Sequence, residues 1–151
     1  MKAPMKKNIV GTAVLVLFGF VIITLLVYYP LVQNIDGPEA VRSVRILNSL
    51  LVLVGLMIPI SLMIFGNQGE ETKTKGSLPA FGLLSAAFVL KVTEALIVLG
   101  SASGNVFYPA AAFMRWSTRL NWMVVLLILF AIYKIGAELL TGNRGNQLRR
   151  R

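Results

Sequence analysis

Neither cysteine nor histidine occurs anywhere in the 151 residues. Without thiols the chain can form no disulfide, offers no thiolate nucleophile and holds neither thiolate-bound zinc nor an ordinary iron–sulfur cluster. Without imidazole it lacks the usual haem ligand, the commonest zinc and copper ligand and the commonest general base. We therefore expect no metal, redox centre or other cofactor bound by this chain alone, although it can sit beside a subunit that carries one.

Charge is scarce as well. Only 14% of residues are charged, against 56% hydrophobic, and the mean hydropathy is +0.75. A soluble domain of this size needs far more charge to cover its surface. The longest polar stretches run to roughly a dozen residues, which leaves no room for a separate soluble catalytic module. No glycine-rich phosphate loop and no catalytic serine motif is present. The expectation is a chain that is not itself an enzyme.

Long apolar runs are what the sequence has in abundance. Four segments, at about 8–32, 44–65, 78–100 and 120–140, are each about 20 residues or longer. At 1.5 Å per residue, such a helix crosses the roughly 30 Å hydrocarbon core of a bilayer. Continuous hydrophobicity excludes a membrane barrel, whose strands alternate apolar and polar over about ten residues. The first run, preceded by Lys2, Lys6 and Lys7, resembles a signal peptide but is too long for a signal core and has no small-residue cleavage site after it. The spacing thus predicts an all-α integral membrane protein: one domain over 1–151 with four transmembrane helices, residing in the cell membrane. Between the first two segments, Asp36-Gly37-Pro38 reads as a turn into a helix start, with Glu39 suited to the first turn. Pro59 falls inside the second segment and is expected to bend it.

Lys and Arg set the orientation. With the N-terminus inside, Lys2, Lys6, Lys7, Lys73, Lys75, Arg144, Arg149, Arg150 and Arg151 are cytoplasmic, and Arg42, Arg45, Arg115 and Arg119 lie outside. Nine against four favours both termini in the cytoplasm. The net charge of +9 sits mainly at segment ends, where anionic headgroups are the natural partners, so we expect membrane lipids and no nucleic acid.

Lys91 and Glu94 are the sharpest feature, because both lie inside the third apolar segment. Lys91 is roughly 18–20 Å along that helix, near the midplane. A charge there costs at least about 2.5–3.5 kcal/mol on insertion scales. At i and i+3 the two side chains share a face and can pair. One reading is a salt bridge that locks assembly of helices or subunits. The other is a proton or ion relay, or contact with a buried polar ligand such as a quinone headgroup. By depth, Arg119 is the expected outer partner of Glu94, ahead of Arg115. Lys134 and Glu138, at i and i+4 in the fourth segment, read as a second, interfacial ion pair.

Gly82 and Ala86 form a small-xxx-small pair that permits close helix packing. Together with Lys91 and Glu94 they suggest that the third helix is central. The loop between the third and fourth segments is too apolar for a free loop. Pro109 can open a short helix on the outer leaflet, with Phe113 and Trp116 on one side. Tyr108, Phe113, Trp116 and Trp122 are the expected interfacial anchors, and a lid over a lipid or quinone site is the functional alternative.

Two functions fit. The first is a small non-catalytic polytopic subunit that stabilises a larger membrane complex of other subunits, of which respiratory and other electron-transfer assemblies offer an analogy. The alternative is a homo-oligomeric small transporter or channel with Lys91 and Glu94 in its pathway.

Overall fold

A computed structural model describes residues 4–65, 77–100 and 110–148. These are helical almost throughout, with no strand among them. Helix α1 spans Pro4–Ile23. A π-helical turn, Thr24–Tyr28, connects it to a short helix, α2, at Tyr29–Gln33. The turn falls just ahead of Pro30, which has no N–H to continue the ordinary ladder. Asn34 closes α2, its Nδ2 donating to the Pro30 carbonyl at 2.8 Å.

Gly37 then turns the chain at φ +104°, a left-handed conformation that favours glycine. Helix α3 follows at Pro38–Phe65, with Glu39 in its first turn and Pro59 inside it. Helix α4 spans Ser77–Gly100 and α5 spans Ala110–Leu148.

Among the described residues, three stretches are long and apolar enough to cross a membrane: Glu39–Phe65, Pro79–Gly100 and Arg115–Ala137. They make this a membrane protein with several helical crossings, because a lone helix satisfies its own backbone hydrogen bonds in hydrocarbon. The fourth expected crossing, at 8–32, is not matched in the same way. Among the described residues it contributes only the shorter apolar helix Val14–Ile23, and the π-helical turn follows directly.

A second difference concerns the region after Pro109. The expected short interfacial helix is not a separate element, since α5 runs without a break from Ala110 into the fourth apolar segment. No proline or glycine falls between Ala110 and Ile135 to interrupt it.

The helices share one core. Leu17 and Val21 come from α1, Val52 and Leu56 from α3, Ala80, Leu84 and Ala87 from α4, and Val124, Ile128, Ala131 and Ile135 from α5. Each set follows the three- and four-residue spacing of a single helix face. Helix α4 packs most extensively on α5 and next on α3, while α1 packs on α3 and α5. Helices α1 and α4 therefore occupy opposite corners of the bundle. Gly55 of α3 lies directly under the Phe20 ring of α1, with no room between them for a Cβ.

Candidate functional site

The buried face of α4 is defined by Ala80, Leu84, Ala87, Lys91, Glu94 and Val98. Steps of four and three residues keep these on one side, so the two charges point where the apolar core residues point. Lys91 and Glu94 are both 0% exposed and form an ion pair. Burial without further partners would cost several kcal/mol per ion. The neighbouring helices supply those partners.

Helix α3 presents Ser49, which donates to Glu94 Oε2 at 3.2 Å. Helix α5 presents Ser117, which donates to Glu94 Oε1 at 2.9 Å. One turn further along α5, Asn121 accepts a 2.7 Å hydrogen bond from Lys91 Nζ. The antiparallel register of α4 and α5 makes this match: three residues back on α4 correspond to one turn forward on α5. Both carboxylate oxygens are thereby engaged, each from a different neighbouring helix.

The network extends through Arg45 on α3. Its guanidinium donates to Ser117 Oγ at 2.9 Å and to Thr118 Oγ1 at 3.0 Å. Ser117 thus accepts from a cation and donates to an anion, polarised in one direction. Close by in sequence, Asn48 is buried, and its Nδ2 has no hydrogen-bond partner among the described residues.

Arg45, Thr118 and Asn121 also line a cleft of about 200 Å³, with Gln33 at the end of α2. Tyr28 and Tyr29 form its aromatic wall. The π-helical turn ends on Tyr28, and both tyrosines line the cleft although they are adjacent in sequence. The Tyr29 ring lies 5.1 Å from that of Trp122, whose indole N–H donates to the Tyr29 hydroxyl. Among the described residues, no cluster of His, Asp and Glu could hold a metal ion.

Several expected placements change. Arg119 is not the partner of Glu94: it is exposed on α5 and stands over the Trp116 ring at 5.4 Å. The arginine that reaches the network is Arg45, because α3 begins at the same end of the bundle and turns Arg45 toward Ser117. Gly82 and Ala86 do not pack inside the bundle. They lie on the exposed side of α4, and a Cβ at Gly82 would meet nothing.

Trp116 and Trp122 are exposed, with relative exposures of 57% and 41%. Lys134 is exposed. Tyr108 and the side chains of Phe113 and Glu138 lie outside the described residues, as do the 66–76 and 101–109 loops and the Arg149, Arg150 and Arg151 tail. The sequence reading placed Arg45 among the outer cations and did not single out Ser49, Ser117 or Asn121. Their signal was there: Arg45 and Ser49, like Ser117 and Asn121, are polar pairs at i and i+4 on the mouth of an apolar helix.

No protein-family model matches the chain, and neither a curated protein nor a solved structure is significantly similar to it.

Proposed function

We propose that this chain is a small non-catalytic subunit of a larger assembly in the cell membrane, crossing the bilayer four times with both termini in the cytoplasm. The observation that carries the reading is the complete burial of Lys91 and Glu94 with partners drawn from α3 and α5 of the same chain. Charges held this way clasp three helices together. They leave the outside of the bundle apolar, as Leu50, Val54, Val89, Leu96, Leu126 and Phe130 are. The outward Gly82 and Ala86 fit the close approach of a partner helix. For the fourth crossing, α1, the π-helical turn and α2 together run from Pro4 to Gln33, enough for the roughly 30 Å core. The excess of Lys and Arg at the two termini and in the 66–76 loop supports the orientation.

Gentle detergent extraction tests this. The expected result is a heteromeric complex containing the chain, and cofactor absorbance in it would specify an electron-transfer assembly. Recovery of the chain only with copies of itself would refute the reading. A reporter fused after Arg151 is expected to be active in the cytoplasm.

One observation favours a second reading, a homo-oligomeric transporter. Asn121 accepts from Lys91 and also lines the cleft, so the buried pair is one side chain from an opening. Lys91→Ala separates the two: loss of assembly favours the clasp, whereas intact assembly with lost flux favours transport.

A further inference from the structure

Among the described residues, the cleft is lined by one cation, Arg45, together with hydroxyl and amide groups, and by no carboxylate. Glu94 lies behind it with both oxygens occupied by Ser49, Ser117 and Lys91. Such a cleft suits an acceptor-rich, negatively charged group. Its volume of about 200 Å³ falls below the roughly 300 Å³ at which pockets for whole small molecules begin. It matches a headgroup whose remainder lies elsewhere.

A place for that remainder begins at the cleft's aromatic wall. Trp122, in contact with Tyr29, starts an exposed apolar stripe that continues through Leu126, Leu129 and Tyr133. The spacing of four, three and four keeps the stripe on one side of α5. In the other direction along α5, the exposed Arg119 and Arg115 precede Trp122 by one and two turns. Cations, then an indole, then aliphatic side chains is the order in which a bilayer presents phosphate, interface and acyl chain.

From this order and the charge of the cleft, we propose that the cleft and the α5 stripe together bind one anionic phospholipid. Its phosphate-bearing headgroup sits by Arg45 and Gln33, and its acyl chains run along Trp122, Leu126 and Leu129. The site belongs to the chain alone and does not depend on partner subunits. Its failure would therefore leave the subunit reading untouched.

Phosphatidylglycerol with brominated acyl chains tests the site in the purified full-length chain in detergent. The Trp116→Phe variant leaves Trp122 as the single fluorophore of its kind, since the sequence has two tryptophans. Saturable quenching is expected, with half-saturation about fivefold lower than for equally brominated phosphatidylcholine. Gln33→Glu places a carboxylate at an exposed position of the rim, where substitutions usually change stability by no more than about 0.5 kcal/mol. It should abolish the preference, bringing the half-saturation points of the two lipids together. Coincident curves for the two lipids would overturn the proposal, as would an unchanged preference in Gln33→Glu. Displacement of the lipid by millimolar inorganic phosphate would also overturn it, by assigning the cleft to free phosphate.

Discussion

Ser117 on α5 donates a 2.9 Å hydrogen bond to Glu94 on α4, joining helices whose two residues stand 23 positions apart in the chain. The same hydroxyl receives the Arg45 guanidinium from α3. One small side chain thereby links three helices at the level of a buried ion pair. Four expectations follow from this arrangement and from the packing around it.

Removing one member of the ion pair should be worse than removing both. Lys91→Met leaves Glu94 charged at 0% exposure, and breaking a buried pair costs about 3–5 kcal/mol. Lys91→Met with Glu94→Gln removes both charges and should recover more than half of that loss. Thermal unfolding midpoints in detergent for the two singles and the double measure the coupling. Additive losses would show that the pair contributes nothing as a pair.

Ser117→Ala should destabilise the chain by about 1–2 kcal/mol, because it takes a donor from a buried carboxylate and an acceptor from an arginine. Thr93→Val is the matched control. Thr93 is exposed and its hydroxyl bonds to the Val89 carbonyl of its own helix at 3.0 Å, so its loss should be near zero. Equal unfolding midpoints for the two variants would contradict the clasp.

Gly55→Ala should cost about 1–3 kcal/mol, the usual range for overpacking. The new methyl group would collide with the Phe20 ring. Phe20→Leu in the same chain should restore most of the loss by withdrawing the ring. If the double variant is no better than Gly55→Ala alone, α1 does not pack on α3 through this contact.

Gly82→Leu should leave the isolated chain as stable as before, within about 0.5 kcal/mol, since the position is exposed and a Cβ there meets nothing. In the proposed assembly it should reduce recovery of partner subunits, which quantitative co-purification measures. Unaltered recovery would exclude this face of α4 from the partner contact.

Lys91 and Glu94 were legible from sequence because a charge within an apolar run stands out without any knowledge of neighbours. Their partners were not. Ser117 sits among Arg115, Thr118 and Arg119, and that density of polar groups reads as loop, so the fourth segment seemed to begin near 120, with Asn121 merely one polar residue at its start. The structure carries the helix back to Ala110 and divides the same residues by face. Ser117 and Asn121 turn inward to the ion pair, while Arg115 and Arg119 face out. Gly82 and Ala86 failed in the opposite sense. Small residues permit close packing but do not say on which side another helix stands.

Composition and hydropathy alone determined that this chain is helical and membrane-embedded. In hydrocarbon each backbone must satisfy its hydrogen bonds within its own segment, so the decisive information is local. Which polar groups meet was decided only by tertiary structure. Whether Glu94 finds Arg119 or Ser117 depends on the rotation and register of α4 against α5. Those are fixed by contacts spread along both helices, such as Leu84, Ala87, Val124 and Ile128, and no single segment contains them.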